Sequence, residues 1–139
     1  MSDDFKLSEE SAAAQIDSLL DYYRIKLDRV LPIQGAAIRS DIIDSIRRGE
    51  VEVEIGADGI VVKQNLARAY KKIPNTIEYK EVSGRAKQIA MKLAKDADEY
   101  ERLLLFVGYL TGLDKTLLPD LLSVDNRNME RLGTLLFLA

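Results

Sequence analysis

The sequence predicts an α+β, mainly α fold in a single domain spanning residues 1–139. Three observations carry that prediction. Apolar residues recur at three- and four-residue spacing toward both ends of the chain, which gathers them on helix faces. Between those regions, residues 51–66 switch to alternation, as strands with one wet face do. The chain is 47% hydrophobic and 31% charged over 139 residues, enough apolar material for one core and too short for two independent ones.

Residues 1–7 read as a flexible tail and residues 8–82 as helices plus a small sheet. Ile16, Leu19, Leu20, Tyr23, Leu27, Val30 and Leu31 share one face of a first helix. Ser8 is its expected N-cap and Pro32 its stop. In a second helix Ile38, Ile42, Ile43 and Ile46 make the buried stripe. Arg47 and Arg48 meet the negative end of its dipole, and Gly49 is free to turn left-handed beyond it.

Val51, Val53 and Ile55 then alternate with Glu52 and Glu54. With Asp58 and Gly59 as the central pair of a type I′ turn, Val51 faces Leu66, Val53 faces Gln64 and Ile55 faces Val62. The same register sets Glu54 opposite Lys63 on the other face. Residues 67–75 read as a basic connector ending at Pro74 and Asn75, and residues 76–82 as a third strand. An antiparallel sheet of this hairpin plus that strand is expected, because a lone hairpin is marginal in water.

Residues 83–139 read as a C-terminal helical bundle. Ala86, Ile89, Ala90, Leu93 and Ala97 form a face of mostly small residues, which permits close packing. Asp98 and Glu101 have capping-box spacing for a helix that carries Leu103, Leu104, Val107 and Leu110 to a stop at Gly112. A short helix from Asp114 is expected to bury Leu117, Leu118, Leu121 and Leu122. Asp125 is the expected cap of a last helix bearing Met129, Leu132 and Leu136.

The composition narrows function. The chain has no Cys and no His, which removes disulfides, thiolate metal sites, a cysteine nucleophile, the usual zinc ligand and the usual neutral-pH base. Its net charge is −3, with basic residues dispersed among carboxylates, against the concentrated basic face that nucleic acid requires. The acidic start lacks a signal-peptide pattern, and no apolar run reaches the roughly 20 residues of a membrane span, so a cytoplasmic protein with no membrane partner is expected.

Individual clusters read as structure. Glu50, Glu52 and Glu54 lie on one strand, whereas cation ligands converge from several elements, so these carboxylates read as a solvated face. Asp114, Asp120 and Asp125 lack calcium-loop spacing and read as helix caps. Gly84 and Gly112 belong to no glycine-rich phosphate loop and read as helix ends. Arg68, Tyr70, Lys71 and Lys72 are the best nucleic-acid candidate, since cations meet phosphates while an aromatic stacks on bases, although an exposed connector has the same composition. No catalytic residue, metal ligand or cofactor is expected.

The closing run from Leu135 to Ala139 is apolar all round. It implies a partner surface, self-association as a homo-oligomer, or a helix sunk into the core. The two helices bearing Leu103–Leu110 and Met129–Leu138 are expected to form a groove, with Leu103, Val107, Leu110, Leu135, Phe137 and Leu138 as candidate partner-binding residues. Leu135 and Phe137 fall off the Met129, Leu132 and Leu136 face. They are expected to be exposed, so that Asp at either position should abolish binding and spare the fold.

Leu110-Thr111-Gly112-Leu113, then Leu117, Leu118, Leu122 and Asp125, and a helix closing on Leu136-Phe137-Leu138, resemble the tail assembly chaperones of long-tailed bacteriophages. The resemblance spans roughly residues 77–139 and leaves out the N-terminal helices and hairpin. It implies a non-catalytic helper in the bacterial cytoplasm, with no cofactor, that coats the tape measure protein or another tail protein before the tube polymerises. Members of that family often have a longer form made by ribosomal frameshifting. The alternatives are a virion structural protein of the tail or connector, and a small acidic regulator that binds nucleic acid.

Overall fold

The computed structural model describes residues 5–93 and 98–139. Helix α1 spans Glu9–Tyr22 and opens on Ser8, whose hydroxyl accepts the Ser11 N–H at 3.1 Å, with Glu9 and Glu10 at the positive end of the dipole. Ala12, Ile16, Leu19 and Leu20 are its buried face. The helix stops ten residues short of the expected proline. Arg24 takes a left-handed conformation at φ 56°, the Arg24 N–H donates to Asp21 O at 3.1 Å, and the Ile25 N–H donates to Leu20 O at 2.8 Å. This pair of bonds is the usual closure of a helix end, made without glycine. The reversal buries Ile25 and starts a short helix α2, Leu27–Val30, which buries Leu27.

A left-handed L-residue costs roughly 1–2 kcal/mol, and glycine loses roughly 0.5–1 kcal/mol more to chain entropy. Arg24→Gly is therefore expected to stabilise the domain by about 0.5–1 kcal/mol. A denaturant midpoint that moves down instead would show that the Arg24 side chain contributes more than its backbone costs.

Helix α3, Gly35–Arg47, buries Ile42, Ile43 and Ile46, and Gly49 follows at φ 78°. Its carbonyls close through the Gly49 N–H on Ile46 O and the Glu50 N–H on Ser45 O. The end of this helix also corrects the expectation of a flexible tail as far as residues 5–7. The Lys6 and Leu7 N–H groups both donate to Arg47 O, at 2.6 and 3.2 Å, and the Arg47 guanidinium sits 3.8 Å from the centre of the Phe5 ring.

The sheet is a three-stranded antiparallel meander of β1 (Val51–Gly56), β2 (Gly59–Asn65) and β3 (Thr76–Tyr79), in the order β1-β2-β3. Its register differs from the expected one. Val51 faces Gln64, Val53 faces Val62, Ile55 faces Ile60, and Glu52, not Glu54, faces Lys63. A slip of two residues keeps every side chain on its face, so hydrophobic alternation does not separate the two registers. The turn conformation does. A type I′ turn at Asp58-Gly59 would force Asp58 to positive φ, whereas the central pair is Ala57-Asp58 and Gly59 alone carries positive φ, at 119°.

Gly59 is also a point of close approach. A Cβ there would stand 2.7 Å from Glu81 Oε1, the carboxylate that accepts the Tyr22 hydroxyl. Gly59→Ala is expected to cost about 1–3 kcal/mol, mostly from backbone strain because Glu81 can swing aside. Thermal melts decide this, and an unchanged midpoint would mean the turn rearranges freely.

Strand β3 ends earlier than residues 76–82 suggested, since the backbone leaves the sheet for the helices. The Lys80 N–H donates to Leu110 O at 3.0 Å and the Val82 N–H to the Tyr23 hydroxyl at 3.0 Å. Helix α4, Gly84–Leu93, buries Ala86 and Ala90. Ala97 and the side chain of Leu93, expected on the same small-residue face, lie outside the described residues. Helix α5, Glu99–Thr111, is capped by Asp98, which accepts the Glu101 N–H at 2.8 Å, and ends on Gly112 at φ 74°.

A 3-10 helix, Lys115–Asp120, follows, capped by Asp114. The Thr116 backbone N–H holds the Asp114 carboxyl below its ordinary value, with help from the Thr116 hydroxyl. The tighter turn buries Leu118 and Leu121, leaves Leu117 half-buried, and exposes Leu122, which was expected in the core. The last helix α6, Ser123–Phe137, has Leu122 at its N-cap and no side-chain cap. Asp125, the expected cap, lies buried in the first turn and accepts the Ala67 N–H at 2.8 Å, tying the connector to the helix.

These elements share one core. Helices α1 and α3 pack on each other and on β1, α3 also meets α6, and α5 packs on β3, α4 and α6. Within the core runs a polar ladder. Gln64 donates to Asp125 O at 2.8 Å and accepts the Tyr79 hydroxyl at 2.7 Å. Asn128 accepts the Ser45 hydroxyl at 2.7 Å and donates to Glu50 at 3.0 Å. Sheet, α3 and α6 are thereby fixed relative to one another by buried hydrogen bonds whose loss would strand polar groups.

Candidate protein-binding groove

Helices α5 and α6 pack closely because of Gly133. A Cβ at that position would stand 2.7 Å from Leu103 Cδ1 and 2.8 Å from Val107 Cγ2. The close approach buries Val107 and brings Leu103 against α6, and a groove opens beside this contact. It has a volume of about 530 Å³ and is lined by Glu99, Tyr100, Arg102 and Leu103 of α5, by Glu130, Thr134, Phe137 and Leu138 on the α6 side, and by Leu31.

The six expected partner-binding residues divide evenly. Leu103, Phe137 and Leu138 line the groove and are half-buried. Val107, Leu110 and Leu135 are 0%, 1% and 1% exposed, so they are core, and their assignment to a partner surface is corrected. The reason lies in the width of the buried stripe. At about 100° per residue, Leu135 is only about 60° from Leu132, within a core-facing arc that also takes Asp125, Asn128, Met129 and Leu136.

Phe137 is not the free anchor that was expected. Its ring makes an edge-to-face contact with Phe106, centroids 4.9 Å apart at 86°, and Lys87 Nζ lies 5.5 Å from the ring while donating to Ala139 O at 2.9 Å. It walls the groove with one face and seals the core with the other.

Apart from Leu31, the groove residues that sequence reasoning passed over carry polar groups. The Arg102 Nε is shielded from solvent and finds no acceptor among the described residues. A charged donor that is shielded without an acceptor is costly, and the half-buried side chain that carries it lines the groove beside Leu103, Phe137 and Leu138. Arg102 looked like part of a solvated helix face. The signal that could have found the site is the spacing Glu130, Thr134, Phe137, Leu138, a second helical stripe set apart from the core stripe.

The nucleic-acid candidate loses its stacking group. Tyr70 is half-buried against the core and its hydroxyl accepts the Leu122 N–H, so its ring is held by the domain. Among the described residues no three His, Cys, Asp or Glu side chains are placed to hold a metal ion, and no helix is long and apolar enough to cross a membrane. Comparison with protein-family models, with curated proteins and with solved structures finds no match.

Proposed function

We propose that this chain is a bacteriophage tail assembly chaperone, acting without catalysis or cofactor in the bacterial cytoplasm by holding a segment of the tape measure protein until the tail tube forms. The observation that carries the reading is the groove between α5 and α6, where half-buried Leu103, Phe137 and Leu138 form an apolar floor along two helices. Such a trough suits helix-in-groove recognition, which uses apolar anchors one and two turns apart.

The sequence resemblance supports the same reading and coincides with this half of the domain. Gly112 ends α5 in the left-handed conformation, the leucine-rich segment after it forms the 3-10 helix, and Leu136, Phe137 and Leu138 close α6 and its end. Asp125, one of the residues that carry the resemblance and the expected cap of the last helix, ties down Ala67 instead.

Tagged protein recovered from infected or prophage-induced cells is the test. A tape measure protein should accompany it during assembly, and the chain should be missing from finished virions. Its persistence in purified virions would replace this reading with that of a structural tail or connector subunit.

A further inference from the structure

We propose that the groove takes an amphipathic helix that presents a carboxylate to Arg102, an inference that rests on the protein-binding reading above and names the chemistry of the bound segment. Two observations lead to it. The half-buried Arg102 side chain lines the groove beside Leu103, Phe137 and Leu138, and its shielded Nε has no acceptor among the described residues. An occupant made only of apolar side chains would cover what remains exposed of the half-buried Arg102 side chain and leave its charge unpaired. A carboxylate is the planar acceptor that a guanidinium fork matches.

The dimensions suit a helix. Glu130 to Leu138 on the α6 side spans about 12 Å at a rise of about 1.5 Å per residue, which is roughly two turns of an incoming helix. That length admits apolar anchors at i, i+4 and i+7 with one acidic residue between them. Glu99 and Glu130 also line the groove, and they favour lysine or arginine on the flanks of the bound segment. The trough is open, which distinguishes it from the enclosed pockets that surround small ligands.

The test uses three labelled synthetic helices of about 18 residues, long enough to populate helix when bound. They share leucines at i, i+4 and i+7 and lysines on the flanks, and differ at one central position that carries Glu, Gln or Lys. By fluorescence anisotropy the Glu peptide should bind the intact chain at least about tenfold more tightly than the Gln peptide, the range of a charge-assisted hydrogen bond, with the Lys peptide weakest. Arg102→Gln should erase the preference, Arg102→Lys should restore only part of it because it lacks the fork, and Thr134→Arg should block all three peptides.

Circular dichroism establishes that each variant is folded. Equal affinity for Glu and Gln peptides, an unchanged preference in Arg102→Gln, or no binding of any peptide overturns the proposal. So does conversion of a dimer to a monomer by Thr134→Arg, which would make a second copy the occupant. Recovery of the tape measure protein by wild type and by Arg102→Gln is scored separately. Equal recovery would sink the Arg102 inference alone, whereas peptide discrimination without any tape measure protein would sink the chaperone reading alone.

Discussion

Leu135→Asp is expected to unfold the domain. The side chain is 1% exposed, in the stripe by which α6 meets the rest of the core. Removing a buried leucine costs roughly 2–5 kcal/mol by itself, and a carboxylate in its place must be desolvated or protonated as well. The sum exceeds about 4 kcal/mol, comparable with the whole stability of many domains at about 5–15 kcal/mol. Loss of the helical circular dichroism signal at room temperature is the readout. A folded, cooperative Leu135→Asp protein would show that α6 is not seated as described.

Thr134 is the next residue toward the N-terminus, yet it is exposed and lines the groove. A charge there leaves the core untouched and meets only a bound partner. Loss of binding in Leu135→Asp therefore reports unfolding, while loss of binding in Thr134→Arg reports the surface.

Local chemistry was legible wherever one side chain settles one backbone group. Ser8, Asp98 and Asp114 cap the helices they were expected to cap, and Gly49 and Gly112 turn left-handed where helices end. The break at Arg24 was not legible, because its signal is neither glycine nor proline. It comes from tertiary partners: Ile25 reaches the core and the Tyr23 hydroxyl meets the Val82 N–H only if the chain reverses there.

The hairpin shows a second limit. Alternation is blind to a slip of two residues, so Val51 and Val53 were rightly placed inward while the register was not, and Ile55, expected on the same face, is exposed near the turn. For the site, the pairing of α5 with α6 was legible from their apolar stripes, as were Leu103, Phe137 and Leu138. Leu135 was misplaced because a core stripe flanked by several elements is wider than a two-helix seam. Arg102 was not legible at all, since what sets it apart is shielding without a partner, a property of packing rather than of spacing.

Gln64→Leu is the second change expected to have a large effect, although it conserves size on an inward strand face. Gln64 is 0% exposed and bridges two groups: it accepts the Tyr79 hydroxyl and donates to Asp125 O. Leucine keeps the volume and strands the Tyr79 hydroxyl, while Asp125 O loses its second hydrogen bond and keeps the one inside α6. A buried polar group left unpaired costs roughly 1–3 kcal/mol and a lost hydrogen bond about 0.5–1.5 kcal/mol, so the substitution is expected to destabilise by about 2–4 kcal/mol. Tyr79→Phe in the Gln64→Leu background removes the stranded hydroxyl, and the double variant should be less destabilised than the sum of the singles.

An alkaline titration supplies an independent reading of the same contact. Burial pushes the Tyr79 phenol well above its ordinary 10.0. Its contribution to stability is thus complete below pH 10 and is lost as pH rises from there toward the folded value, and Tyr79→Phe should flatten that part of the profile. Additive single-variant costs, or a Gln64→Leu penalty below about 1 kcal/mol, would mean that the ladder is not closed to water and that sheet and α6 are joined by apolar packing alone.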